Sequence, residues 1–466
     1  MVELSKELSN TLGDAGQEHV FEYLDRLAGQ ARTRLIDVLA GVDFDLMAEL
    51  AALAKKPLDG SEKKLEPPEL FRLDRSPADE KSAASAITLG EELFAAGKIG
   101  FVLVAGGQAS RLGYDAPKGD YPVGPVTQRT LFAYHAQRLQ AAKQRYGKEP
   151  FWYVMTSPAN DAATREIFQR NEYYGLDPES VFFFSQEMLP ALDTDGRVLF
   201  TTPATLFLAP NGHGGSLLAL QRSGALAHMR ERGIEEVSYF QVDNPLARPA
   251  DPLFAGLHVR GACGMSSKVV KKRAAGEKVG VLGHIDGKLG CIEYSDLPDD
   301  LKSARDANGE LSFRAGNIAA HMLRVSFVEE LTRERLELPW HVARKRMKAA
   351  APDGTLAERD GFKFETFVFD ALAYSKASVT LEVERTEEFS PVKNADGSDS
   401  PASCRADLCA LFAPWVAAVG DELPALDEAG NPPIEIDPRV AESQAEFLAR
   451  TDRKLRQHDG GVVYEP

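Results

Sequence analysis

Phe101-Val-Leu-Val-Ala-Gly-Gly-Gln-Ala-Ser-Arg-Leu-Gly113, continued after two residues by Ala116-Pro-Lys-Gly119, is the stretch on which the fold of this chain turns. The run from Phe101 to Val104 is short, apolar and valine-rich. With Gly100 before it and Gly106 ending it, it predicts a buried strand. Gly106, Gly107 and Gly113 admit backbone shapes that a Cβ forbids. Main-chain N–H groups freed of side chains can close around a phosphate and act as its ligands. Arg111 and Lys118 set two positive charges beside that cradle. A strand, a glycine-rich turn and two cations together suit a nucleoside triphosphate. The competing reading is a surface loop with turn glycines, which Gly-Gly alone would favour.

The stretch lacks the Gly-Lys-Ser/Thr of a Walker loop and the Gly-x-Gly-x-x-Gly of a dinucleotide site. It resembles instead the Leu-x-Gly-Gly-x-x-x-Arg-Leu-Gly…Pro-Lys signature of the eukaryotic-type UDP-sugar pyrophosphorylases. Val104 stands where that signature has Leu, a change between two apolar strand residues. The likeness is nearest to the UDP-N-acetylglucosamine branch. It implies an α/β nucleotidyltransferase with a Rossmann-like, GT-A-like, mostly parallel central sheet. It also implies UTP and a sugar 1-phosphate as substrates and Mg²⁺ as cofactor.

Composition agrees with a soluble globular protein. The chain has 466 residues, enough for two or three domains, with 44% hydrophobic and 27% charged residues. A formal net charge of -16 argues against general nucleic-acid binding, which needs a basic face. It leaves room for an anionic nucleotide in a locally basic site. Cys263, Cys291, Cys404 and Cys409 are scattered without Cys-x-x-Cys spacing. That fits reduced thiols in a cytoplasmic protein rather than a disulfide framework or zinc site. The polar start, Met1-Val-Glu-Leu-Ser-Lys-Glu, has no apolar signal core. No apolar run approaches the roughly 20 residues of a membrane span. Oligomeric state is left open, a monomer being compatible.

Three regions are expected. Residues 1–95 read as a helical layer without strands, from leucines at helical spacing and later prolines. Residues 96–385 read as the catalytic domain. Strands are expected at Phe101–Val104, Phe151–Thr156, Val181–Phe184 and Val237–Val242, with helices at Ala162–Asn171 and Ser216–His228. Alternation of this kind gives a parallel sheet whose ligands sit at the carboxyl ends of the strands, here near Gly106, Ser157, Gln186 and Asp243. A hairpin is expected about Asp286-Gly287 and an alternating strand over Phe362–Phe369. Residues 396–402 read as a loop. Residues 386–466 form a mixed C-terminal region with a helix over Ala441–Gln457.

Asp243, at the end of an apolar strand in Gln-Val-Asp-Asn, needs a partner if ionised. A turn or cap carboxylate is the plain alternative; the resemblance makes Asp243 the Mg²⁺ ligand. The resemblance assigns nucleotide contacts to Gly106, Gly107, Gln186 and Gly212. Gln186 lies in Phe-Ser-Gln-Glu-Met-Leu-Pro, and its amide can both donate to and accept from a uracil edge. Gly212 lies in Pro-Asn-Gly-His-Gly-Gly, where bare backbone can admit a base or a sugar. Sugar contacts fall on His213, Gly280, Glu293, Asn317 and Phe367. Gly280, Glu293 and Asn317, with Pro339-Trp-His341 and Lys345, match the N-acetylglucosamine branch. His213 departs from it, because that branch has Asn there and glucose enzymes often have His. As bare patterns most of these read as loop or core residues. Lys393, in Phe-Ser-Pro-Val-Lys-Asn, is an ordinary solvated lysine unless the resemblance makes it a phosphate ligand.

Arg111, Lys118 and Lys393 are thus the expected catalytic cations for in-line transfer without a covalent intermediate. N-acetylglucosamine 1-phosphate is the preferred acceptor, with glucose 1-phosphate or broader sugar specificity as the alternative. A silent nucleotide-sugar-binding regulator is a remote third reading, opposed by the intact cation set. No Gly-x-Ser-x-Gly elbow or His-Glu-x-x-His supports a hydrolase.

Overall fold

The computed structural model describes residues 4–56, 63–458 and 460–466. The chain divides into two compact units, each built from separated segments. This division does not follow the partition 1–95, 96–385 and 386–466. The smaller unit gathers the described residues of Met1–Glu62 with Gln186–Ser216 and Glu337–Val368; the larger takes Lys63–Ser185, Leu217–Leu336 and Phe369–Pro466.

The larger unit is built on one large sheet. Its strands are β1 (Ile99–Val104), β2 (Trp152–Thr156), β3 (Val181–Ser185), β4 (Glu236–Gln241), β5 (Met265–Lys271), β6 (Val281–Ile285), β7 (Lys288–Ile292), β8 (Ala315–Arg324) and β9 (Thr380–Val383). The four strands expected from sequence, β4, β1, β2 and β3, lie side by side and parallel. Phe101, Leu103, Trp152, Val154 and Phe240 form their buried core with Leu131, Phe132 and Phe168 from covering helices. Antiparallel β8 then joins β4, and β5 and β6 both pair with β8. The α/β, Rossmann-like reading therefore holds, with an antiparallel extension beside the parallel strands. The β6–β7 hairpin turns at Asp286 (φ 50°) and Gly287 (φ 82°), the left-handed pair that Asp-Gly favours.

Four local expectations change. A two-residue strand, Leu65–Glu66, lies within the supposedly strand-free first 95 residues and pairs with β6. The helix expected over Ser216–His228 is two, Gly215–Arg222 and Ala225–Glu231, broken by Gly224 at φ 81°. The 396–402 loop ends early, because Ser400 caps an 18-residue helix, Pro401–Ala418, through a reciprocal bond pair with Ser403. The C-terminal helix is only Gln444–Ala449. Arg450 turns extended, and Lys454–His458 becomes a strand paired with Gly461–Glu465.

In the smaller unit, helices Lys6–Asp14, His19–Asp25, Gly29–Ala40 and Phe44–Ala54 bury Leu12, Leu24, Leu35, Leu39 and Leu50 with Leu192, Phe200 and Phe364. Tyr23 stacks on Phe200 at 3.8 Å between ring centroids. Strands His341–Ala350 and Leu356–Glu365 pair antiparallel, with Leu192–Asp193 at the edge.

Candidate functional site

In the larger unit the carboxyl ends of β1, β2 and β4 carry the distinctive residues. Beyond β1, Ala105 donates its N–H to Met155 O at 2.8 Å, which prolongs the parallel ladder. The chain then swings through Gly106-Gly107 and returns, with Ala109 N–H on Ala116 O and Lys118 N–H on Gly107 O, both at 3.2 Å. A Cβ on Gly107 would meet nothing within 4 Å. Bare backbone therefore faces open space there, as a phosphate cradle requires. Asn160 braces the loop, donating to Ala105 O at 2.9 Å and Gly107 O at 3.3 Å. Sequence reasoning missed Asn160, because an Asn opening a helix after a strand looks like an ordinary turn residue.

Arg111 sits on a 3₁₀ turn, Ser110–Leu112, closed by left-handed Gly113. It is exposed and has no ion-pair partner among the described residues. Lys118 opens a second such turn, where Gly119 is fixed by packing: a Cβ there would lie 2.2 Å from the Phe132 ring. Lys118 Nζ lies 3.3 Å from Asp243 Oδ2, with both side chains largely buried. Asp243 is 8% exposed. Beside it, His135 meets Val242 O at 3.0 Å through Nε2, and burial pushes its pKa down to about 4. A neutral imidazole thus backs the carboxylate.

Lys393 is drawn to the same edge. Val392 N–H donates to Asp243 O at 2.9 Å. Asn244 gives its amide N–H to Glu388 O at 2.7 Å and accepts Ser390 N–H at 3.0 Å. Glu388 in turn pairs with Lys268, which is 1% exposed and also meets Asp251 at 2.7 Å. This largely buried trio anchors the segment Glu388–Lys393, a strap beside Asp243, while Lys393 itself remains exposed above the Phe389 ring. Sequence reading gave a role to Lys393 but none to Asn244 or to the trio beneath it.

Gly280, Glu293 and Asn317 also come together. Asn317 N–H donates to Gly280 O at 2.8 Å, and Asn317 Oδ1 accepts Ala319 N–H at 2.9 Å. Asn317 Nδ2 lies 3.7 Å from Cys291 Sγ, against which a Cβ on Gly280 would press at 2.9 Å. Burial and then Glu293 push the Cys291 thiol well up, so it stays a neutral thiol. Because β8 runs antiparallel to β4, its Asn317 end lies at the edge where β4 delivers Asp243.

The smaller unit holds the other expected residues. Gln186 is buried ahead of strand Met188–Pro190, which pairs with Leu208–Pro210. The glycine turn after Pro210 packs on the chain around Thr366. Gly212 has φ 80°, and a Cβ on it would stand 2.3 Å from Thr366 O. Thr366 donates N–H to Asn211 O and accepts Gly214 N–H, both at 2.8 Å. Those bonds take the chain off the ladder. The strand expected over Phe362–Phe369 therefore ends at Glu365, and Phe367 lies beyond it. Phe367 stacks near His213 and His341, at 5.3 and 4.5 Å between centroids. His213 Nδ1 accepts Val368 N–H at 3.1 Å, and burial, then the His341 charge, lower its pKa to about 4. Its acceptor nitrogen is thus engaged by its own chain.

Residues 64–409 match the family model described as UTP–glucose-1-phosphate uridylyltransferase. The chain belongs to this family. Membership makes it a nucleotidyltransferase of the class that works on UTP and a sugar 1-phosphate. The UDP-N-acetylglucosamine diphosphorylase 2 of Arabidopsis thaliana is 33% identical over 431 residues, covering 89% of this chain and 85% of that protein. The uridine diphosphate N-acetylglucosamine pyrophosphorylase of Trypanosoma brucei, solved with an inhibitor, superposes with a TM-score of 0.79. It is 28% identical and covers 96% of this chain and 95% of its own. A UDP-glucose phosphorylase from the same organism shares the fold at TM-score 0.59 and 17% identity, over 90% and 87%.

Proposed function

We propose that this uridylyltransferase joins UTP to N-acetylglucosamine 1-phosphate, forming UDP-N-acetylglucosamine and pyrophosphate. The observation that carries the choice of sugar is the gradient of likeness: relatives named for UDP-N-acetylglucosamine stand at 33% and 36% identity, while a UDP-glucose enzyme stands at 17%. The triphosphate lies along Gly106 and Gly107. A phosphate oxygen of the sugar substrate attacks the α-phosphorus in line. The bond from that phosphorus to the bridging oxygen breaks, and its electron pair leaves with pyrophosphate. No protein nucleophile is required, since positioning and charge neutralisation lower the barrier. Arg111 and Lys118 neutralise the triphosphate, and Lys393 holds the sugar phosphate. Gln186 and Gly212 serve the nucleotide; His213, Gly280, Glu293, Asn317 and Phe367 serve the sugar.

Asp243 is the residue that would hold Mg²⁺. Among the described residues no cluster of three or more His, Cys, Asp or Glu could cage a metal. A single carboxylate suits an ion that keeps waters and phosphate oxygens as its other ligands. Such an ion would supply charge neutralisation across the phosphates. The cytoplasmic assignment is supported by the four cysteines, all of them free.

Glucose 1-phosphate is the second reading, favoured by His213 in place of Asn. Pyrophosphate release with UTP and each sugar phosphate, run side by side, tests both. N-acetylglucosamine 1-phosphate is expected to have the higher kcat/KM. A glucose preference overturns the choice of sugar, and no release with either overturns the transfer reaction.

A further inference from the structure

Behind the Gly280–Glu293 strands lies a second basic site. The segment after β5, the approach to β6, the turn after β7 and the short helix Asp299–Ser303 border a cavity of about 190 Å³, lined by Lys272, Lys278, Lys302, Tyr294, Leu297 and Glu277. Lys272 is only 5% exposed. Its ammonium donates one hydrogen bond, to Ala275 O at 3.1 Å, and has no carboxylate within ion-pair reach among the described residues. Burial lowers its pKa, Glu277 opposes that shift and the Lys302 charge adds to it. Glu277 is engaged elsewhere, with Arg385 at 2.9 Å and Arg273 N–H at 2.7 Å. Lys278 is exposed without a partner among the described residues. Among the described residues Lys302 pairs only with Asp299, whose side chain is almost wholly in water. Leu297 floors the cavity, and Tyr294 stands exposed at its side.

Burying an ammonium against one neutral acceptor, with a second ammonium near, is unfavourable unless an anion completes the set. In a chain of net charge -16, three lysines converge here, and among the described residues only Lys302 forms an ion pair, with the solvent-exposed Asp299. We propose that Lys272, Lys278 and Lys302 bind a phosphate-bearing small molecule at a site separate from the glycine loop and Lys393. Lys278 lies two residues before Gly280, and Tyr294 follows Glu293. Occupancy would therefore act on the strands that present Gly280 and Glu293.

Thermal melting of the full chain against inorganic phosphate, at constant ionic strength, tests this, because a ligand that favours the folded state raises Tm in a saturable way. A second arm uses glucose 6-phosphate. The arm acting at lower concentration identifies free phosphate or a phosphomonoester as the class bound. The shift is expected to persist in an Arg111→Ala/Lys118→Ala/Lys393→Ala variant, which lacks the substrate-phosphate cations. Half-saturation is expected to rise at least tenfold in Lys278→Gln/Lys302→Gln, whose substituted side chains lie at the surface or on its margin. No saturable shift in the wild type, a shift lost in the first variant, or one unchanged in the second overturns the proposal. The readout is binding, so it stands apart from whether uridylyl transfer occurs.

Discussion

Lys118 and Asp243 are separated by 125 positions in sequence yet meet at 3.3 Å. Each is charged, largely buried and has the other as its charge partner. A triphosphate arriving in the Gly106-Gly107 turn would compete for the Lys118 ammonium. Lys118→Ala is expected to lower kcat by about 10²–10³-fold, the usual scale for losing one preorganised charge donor. Circular dichroism should show a retained fold. Near-normal kcat and KM for UTP would exclude Lys118 from the chemistry. His213 is a different case. The sequence concentrates the sugar question there, but its Nδ1 accepts Val368 N–H at 3.1 Å. An Asn Oδ1 can accept the same bond. His213→Asn is therefore expected to fold and to change the ratio of kcat/KM values for the two sugar phosphates by less than threefold. Asn317→Ala should compress that ratio at least tenfold, or about 1.4 kcal/mol. The reverse ordering would return sugar choice to His213. Charge and glycine content were enough to single out Arg111, Lys118, Asp243 and the Gly106-Gly107 turn from the sequence. Asn160, Asn244 and Cys291 were not, because each acts by holding backbone or another side chain. Nothing in local sequence separates such a residue from a turn polar residue or a core thiol.

At the scale of elements, apolar strands bounded by glycine or proline were the easiest to read, and β1 to β4 all appear where expected. The helix Pro401–Ala418 was hidden for a physical reason. Leu408, Cys409, Phe412, Trp415 and Val416 are buried along one face, but the exposed face carries Ala402, Ala410, Ala417 and Ala418, and Pro414 lies inside the helix. Alanines on the solvent side blur the contrast that marks an amphipathic stripe. Close helix contact was equally invisible. The helices Pro77–Ala95 and Pro252–Arg260 cross through glycines, where a Cβ on Gly90 would stand 1.9 Å from Pro252 O and one on Gly256 would stand 1.8 Å from Ala86 O. Asp251 caps the second helix, accepting Leu253 and Phe254 N–H, and also binds Lys268. The crossing thus supports the Asp251–Lys268–Glu388 trio beneath the Lys393 strap. In a free helix Gly→Ala would be favourable. Here the new methyl meets main chain that cannot turn aside. Gly90→Ala is expected to destabilise by about 1–3 kcal/mol, measured by urea unfolding. A neutral or stabilising result would mean that the two helices separate at little cost.

For the whole molecule, the sequence suggested three consecutive regions, whereas the chain forms two units of interleaved segments. Consecutive partition assumes that neighbours in sequence stay neighbours in space. The N-terminal helices break that assumption by packing on strands near residues 192, 200 and 364. Each unit nevertheless contains one histidine whose pKa burial lowers to about 4: His135 in the larger and His213 in the smaller. Both are neutral in the fold at pH 7, and both would titrate near 6.5 in the unfolded chain. Between pH 6.5 and 4 the unfolded chain binds more protons, so stability rises with pH and is lost as the solution is acidified through that window. At pH 5 each histidine accounts for about 2 kcal/mol of that loss. His135 is the sharper test, since its Nδ1 is buried without a hydrogen-bond partner and must take the proton there. His135→Asn is expected to lower Tm at pH 7, because it leaves a smaller side chain in a packed core. The further fall in Tm from pH 7 to 5 should be smaller than in the wild type, because one buried proton acceptor is gone. An unchanged acid shift would assign the loss to carboxylates, whose protonation would then have to overlap the same window.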